Sequence, residues 1–149
     1  MPGAEEYLAN PAGDWAQGGF DADSGLSGRK IVIDNYGPET GIGGGSFSGK
    51  DYTKVDRSGA YVARRIAVDY LKQNKDAQNV RVKLAYAIGK PNPVMAVAEV
   101  EDLHGTKGEQ LLSSYDLSPA GIRAILGLEK VRYADTAAWG HFGREFSWA

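Results

Sequence analysis

The chain of 149 residues has no cysteine, so it has neither a disulfide framework nor thiolate chemistry. It has only two histidines, His104 and His141, and an isolated histidine is weak evidence for catalysis; both read as structural or exposed. No apolar run is long enough for a membrane span or for the hydrophobic region of a signal peptide, which makes a cytoplasmic protein with no membrane partner the expectation. The net charge of −2 gives no general attraction for nucleic acid. What the chain has is enough apolar residues, 42%, to bury one core, and 20 glycines that are unevenly placed.

Residues 1–28 are rich in Gly, Ala, Pro and Asp and read as an irregular lead-in, with at most a short strand near Tyr7 and Leu8. The β-branched run in "RKIVIDNY" predicts a strand. "VDRSGAYVARRIAVDYLKQN" predicts an amphipathic helix with Ala60, Ala63, Ala67, Tyr70 and Leu71 on its apolar stripe and Asp56 as N-cap. "NVRVKLAYAIG" and "VMAVAEVE" both alternate, and the "KPNP" turn between them predicts an antiparallel hairpin. Ser118 and Pro119 supply the cap and first residue of a second helix that Gly127 stops. The aromatic tail is expected to pack across the sheet. The whole reads as α+β: an antiparallel or mixed sheet covered on one face by helices, a two-layer sandwich over residues 29–149.

Six of the thirteen residues from Gly37 to Gly49 are glycine, so this stretch is irregular and its backbone can approach a ligand closely. Within it "GGGSFSGKD" satisfies G-x-x-x-x-G-K from Gly44 to Lys50, but Asp51 stands where a phosphate-binding P-loop has Ser or Thr. A P-loop joins its strand directly to the helix that receives the phosphates. Here the predicted strand ends near Tyr36 and the helix begins near Asp56, which argues against that geometry. The surroundings nevertheless suit an anion: residues 29–65 carry seven basic and four acidic side chains, against ten and fifteen elsewhere.

"DSGLSGRK", "GGGSFSGKD", "KVDRS", "AYAIG" and "GHFGRE" occur in an order and spacing that resembles the C-terminal domain of S-adenosylmethionine synthetase, also called methionine adenosyltransferase. The similarity runs from about Asn10 to Trp148. It implies a transferase that joins methionine to the adenosyl group of ATP and then hydrolyses the tripolyphosphate released. It also implies magnesium and potassium as cofactors, the potassium ligands having no counterpart in this chain.

Carried over by position, Lys50 and Lys54 resemble the family lysines at the phosphates and at the methionine end of the site, and are expected to face one anion. Arg29 and Lys30 resemble its phosphate-binding pair, with Arg29, Lys50 and Lys54 the catalytic cations. Asp56 resembles a magnesium carboxylate, Asp23 the aspartate shared by methionine and adenosine, Ser46 a loop residue touching ATP, and Ile88 a residue lining the adenine pocket. Without the family, Asp56 is a plain helix cap, Arg29 and Lys30 a solvated pair and Ile88 a core residue.

The sequence departs from the family after "NPAG", where Asp14 and Trp15 replace Arg-Phe; Trp15 can still stack on adenine, but Asp14 exchanges a cation for an anion. The resemblance covers about the last two fifths of a synthetase. The chain is therefore expected to be a domain, one half of a split enzyme, or a free-standing relative, inactive by itself. A non-catalytic nucleotide-binding or interaction module that associates with a synthetase chain is the alternative. The apolar side chains of Ile31, Val32 and Ile33 on both sides of the predicted strand suggest a homo-oligomer, or docking on the remaining synthetase portion.

Overall fold

The computed structural model describes residues 6–30 and 32–149. In chain order the regular elements are α1 (Val32–Tyr36), α2 (Val55–Gln73), β1 (Ala77–Ala85), β2 (Met95–Asp102), β3 (Lys107–Leu111), α3 (Pro119–Leu126) and α4 (Tyr133–Ala137). The strands form one antiparallel sheet in the order β1-β2-β3, and the long helix α2 packs against both β1 and α3. The fold is thus α+β in two layers.

The hairpin has the register its alternation demands. Val80 lies opposite Val100, Val82 opposite Ala98 and Leu84 opposite Ala96, which places all six on the helix side. The other face carries Arg81, Lys83, Glu99, Glu101, Lys107 and Glu109, with Lys83 paired to Glu99 and Lys107 lying 3.8 Å from Glu101. Charged cross-strand pairs suit water, but Met95, Val97 and Leu111 share this face beyond them, with Leu111 78% exposed. Strand β3 was missed from sequence because "KGEQL" carries no apolar alternation and is exposed throughout. It is held as an edge by its ladder to β2, after a turn in which Asp102 Oδ1 accepts from the amides of His104 and Thr106, each at 2.8 Å.

Helix α3 begins and ends where expected. The Ser118 hydroxyl accepts from the Gly121 amide at 3.1 Å, and Gly127 closes the helix in the left-handed region at φ +59°. Helix α2 differs in detail. Lys54, not Asp56, sits at its N-cap, with Asp56 in the first turn. Its most buried residues are Arg57, Ser58, Gly59, Tyr61, Val62 and Ile66, a stripe offset from the alanines because the aromatic tail claims the side bearing Tyr61.

Two expectations fail for tertiary reasons. No strand forms at 32–36: this segment makes one helical turn that buries Val32, packs Tyr36 edge-on against Phe142 at 5.0 Å and is closed by the Gly37 amide on the Ile33 carbonyl at 2.8 Å. Strand propensity without a ladder partner gives way to packing. The assembly argument from this stretch lapses with it, and Ile31 lies outside the described residues. The tail, residues 138–149, lies on α2 rather than across the sheet, with the Trp148 ring stacked on Tyr61 at 4.0 Å and the Ser147 carbonyl accepting from Arg65 at 2.8 Å. Tyr7 and Leu8 form no strand.

Two glycines inside helices make opposite predictions. A Cβ on Gly59 would meet Tyr86 at an ordinary 3.4 Å, whereas one on Gly121 would lie 2.3 Å from the Asp116 carbonyl oxygen. Gly59→Ala should therefore stabilise the protein by about 0.5–1 kcal/mol, while Gly121→Ala should destabilise it. Urea unfolding reads both, and a loss of stability in Gly59→Ala would show that the Tyr86 contact cannot give.

Candidate functional site

The stretch 43–51 folds over the first turn of α2. Gly44 is the point of closest approach: a Cβ there would lie 2.2 Å from Cγ of Asp56, so any other residue would push the Asp56 carboxylate aside. The Ser46 amide turns back onto the Gly44 carbonyl, which buries Ser46 and Phe47 and brings Lys50 across the same place. Lys50 Nζ donates to Asp56 Oδ2 at 2.7 Å and to the Gly44 carbonyl at 3.4 Å.

On the other side, Gly49 has φ +86°, and a Cβ there would lie 2.3 Å from Nη1 of Arg29, so the guanidinium rests against the loop backbone. The Cβ of Lys30 lies 3.7 Å from the position a Cβ on Gly45 would take. Arg29, Lys30, Ser46, Lys50 and Asp56 are therefore gathered on one loop at the start of one helix, where cations and the helix dipole add. Asp51, in the place of the P-loop hydroxyl, caps its own turn: Oδ1 accepts from the Thr53 amide at 2.8 Å and from its hydroxyl at 2.5 Å. These bonds, the hydroxyl first, hold the Asp51 carboxyl below its usual pKa.

Beneath the loop lies a buried polar network. Arg57, 2% exposed, donates from Nη1 to the Lys50 carbonyl at 2.8 Å, from Nη2 to Thr136 Oγ1 at 2.5 Å and from Nε to Tyr61 Oη at 3.0 Å. Tyr61 Oη lies 2.6 Å from His141 Nδ1, and Ser48 Oγ lies 3.5 Å from His141 Nε2. The His141 backbone is fixed as well: its amide donates to Tyr36 Oη at 2.7 Å and its carbonyl accepts from Trp148 Nε1 at 2.7 Å. A cavity of about 90 Å³ is lined by His141, Ser48, Gly45, Arg29 and Tyr36 among others.

Residues 17–149 match the family model described as S-adenosylmethionine synthetase, C-terminal domain. The chain belongs to the S-adenosylmethionine synthetase family. It is 48% identical over 154 residues to the S-adenosylmethionine synthase of Pelagibacter ubique, an alignment covering 97% of this chain and 39% of that relative. The corresponding figures are 45% over 161 residues, covering 99% and 40%, for the enzyme of Paramagnetospirillum magneticum, and 49% over 155 residues, covering 95% and 38%, for that of Methylobacterium sp.. The chain thus spans about two fifths of the length of the curated relatives it matches.

Not every residue carried over from the synthetase resemblance is brought to the glycine loop's cation cluster. Lys54 stands exposed at the head of α2, its Nζ 3.9 Å from Asp51 Oδ2, so the two loop lysines pair with different carboxylates instead of facing one anion. Asp23 is exposed in the lead-in, with a left-handed φ of +46°. Trp15 and Ile88 are 82% and 66% exposed. The segments bearing them are neighbours, since Lys90 pairs with Glu6 at 2.6 Å and a Cβ on Gly89 would lie 3.7 Å from the Pro11 carbonyl oxygen. Among the described residues no group of three or more His, Asp or Glu side chains could hold a metal ion. No helix among them is long and apolar enough to cross a membrane.

Arg57, Tyr61, Thr136 and Ser48 were not singled out from sequence. Only the four-residue spacing of Arg57 and Tyr61 on one helix face hinted at their contact; Lys50 lies seven residues from Arg57, and the bonds to Thr136 and His141 join residues about eighty or more apart in the chain. His141, read from the sequence as structural or exposed, is buried. Burial pushes its pKa down from 6.5 to about 4, and the Arg57 and Arg144 charges act in the same direction. Between those values the unfolded chain binds a proton that the folded chain refuses. The resulting stability is complete above the unfolded value of 6.5 and is lost as pH falls towards about 4. The urea midpoint should fall across this window, and a His141→Gln variant with the same slope would remove His141 as its source.

Proposed function

We propose that the chain supplies the polyphosphate-holding part of a methionine adenosyltransferase site. The observation that carries this reading is the loop geometry: the Arg29 guanidinium and the Lys50 ammonium lie against the backbone of the glycine loop, with Lys30 beside Gly45, next to Asp56 at the start of α2. In the reaction, a lone pair of the methionine sulfur forms the S–C5′ bond to ATP as the C5′–O bond breaks, and tripolyphosphate leaves with the electron pair. Water then splits it into pyrophosphate and phosphate. Thioether sulfur needs no activating base, so the demand on the protein is to neutralise the leaving group and align the sulfur.

In this reading Arg29, Lys30 and Lys50 neutralise the polyphosphate and Lys54 extends the positive surface towards methionine. Asp23 serves methionine and the adenosine ribose, Ser46 touches ATP, and Trp15 with Ile88 covers adenine, for which their exposed rings and side chains on adjacent segments suit them. Asp56 fits as one carboxylate of a magnesium shell, the remaining oxygens coming from phosphate and water; magnesium bound there would screen the polyphosphate charge. Lys50 holds Asp56 Oδ2 at 2.7 Å, so phosphate and cation would replace partners that already balance each other. Potassium belongs to the family reading, without ligands among the residues carried over. The cytoplasm is the compartment this reading implies. Large exposed apolar groups at Trp15, Phe20 and Leu26 favour cover by the remaining synthetase portion or a second copy.

Lys50→Ala and Lys54→Ala, made in the assembled synthetase, should each lower kcat/KM by about thirtyfold, on the order of 2 kcal/mol of transition-state stabilisation. Unchanged turnover in both would remove them from the chemistry. Purified residues 1–149 should bind tripolyphosphate weakly and make no S-adenosylmethionine from ATP, methionine and magnesium until the remaining portion is added in trans. Mass spectrometry reads the product, and robust formation by this chain alone would overturn the half-site reading.

A further inference from the structure

We propose that Arg57 and the Tyr61–His141 pair act as positioning residues that tie the glycine loop to the carboxy-terminal segment, with His141 held as the tautomer that donates from Nε2 to Ser48. The inference rests on the reading of Lys50 as a phosphate-site cation only for its functional consequence.

The direction of every proton in the network follows from its one fixed end. A guanidinium can only donate, so Thr136 Oγ1 and Tyr61 Oη both accept from Arg57. The Thr136 hydroxyl passes its own proton to the Tyr133 carbonyl, 2.7 Å away. The proton of Tyr61 is then free to bond His141 Nδ1 at 2.6 Å. A neutral ring that accepts at Nδ1 carries its proton on Nε2, which faces Ser48 Oγ and the cavity shared with Arg29. The third Arg57 donor takes the Lys50 carbonyl. One guanidinium thereby grips the loop directly at residue 50 and, through two relays, at residue 48, while Thr136 and His141 both belong to the last seventeen residues.

The Lys50 amide, which donates to the Phe47 carbonyl at 3.2 Å, reports on the loop. In the ¹⁵N-labelled chain, with His104→Gln used to assign the two rings, His141 should show a pyrrole-like Nε2 and a pyridine-like Nδ1 at neutral pH. Tyr61→Phe removes only the hydroxyl. It should mix the tautomers and speed exchange of the Lys50 amide about tenfold relative to β1 and β2, the loss expected for one buried hydrogen bond. Arg57→Lys should not rescue the loop, because an ammonium cannot span three acceptors in a planar fork.

An Nδ1–H tautomer or an imidazolium in the unsubstituted chain overturns the proposal. So does a rise in exchange spread evenly over all amides in Tyr61→Phe, the mark of a merely structural role, or a Lys50 amide as protected in Arg57→Lys as before. These readouts need no ligand. Failure of tripolyphosphate to bind the assembled synthetase would refute the phosphate reading and leave the positioning of the loop standing.

Discussion

The cation of Arg57 is buried with no carboxylate paired to it among the described residues. Its hydrogen bonds all go to neutral oxygens, those of Lys50, Thr136 and Tyr61, and its charge lies over the Tyr133 ring at 4.5 Å. Desolvating a charge is costly unless its donors are satisfied, so the fork is strongly constrained: each donor fixes a group on a different element. Because no anion cancels it, its field also reaches its neighbours. It opposes protonation of His141 and adds positive potential below the loop that carries Lys50.

This explains why the glycine loop can be both flexible in composition and defined in shape. Glycines at 44 and 49 allow the backbone to pass within a Cβ's distance of Asp56 and of Arg29, but they contribute nothing that holds it there. The restraint comes from below, through the Lys50 carbonyl and the Phe47 ring, which packs edge-on against Tyr61 at 5.8 Å and His141 at 5.1 Å. A loop without its own hydrogen-bonded ladder takes its order from the helix and tail beneath it.

What was legible in the sequence is what local chemistry decides. The cap pair Ser118-Pro119, the stop at Gly127 and the hairpin register follow from neighbours a few residues away. The segment 32–36 was misread because β-branching is a preference that only a ladder partner makes effective, and its partner is Phe142, over a hundred residues on. The same division holds at the site. Lys50 and Asp56, six residues apart, meet as their motif suggests. Lys54 does not join them, because the turn closed by Asp51 and Thr53 sends it to the exposed head of α2. The network under the loop, which ties the helix to the last turns of the chain, leaves only the faint short-range trace of Arg57 and Tyr61 four residues apart.

The large exposed apolar groups fall on two surfaces, the open face of the sheet and the lead-in. The open face of the sheet is laced with charges of both signs around Lys83, Glu99 and Glu101, which suits water, and turns apolar at Met95, Val97 and Leu111. The lead-in carries more of them: Trp15, Phe20 and Leu26 are 82% or more exposed on a segment whose only regular structure among the described residues is a single turn at Gly19–Asp21. Side chains of that size contribute to stability only when something covers them. In a chain that spans two fifths of its relatives, the surfaces that favour cover are therefore the lead-in and the apolar end of the sheet around Leu111.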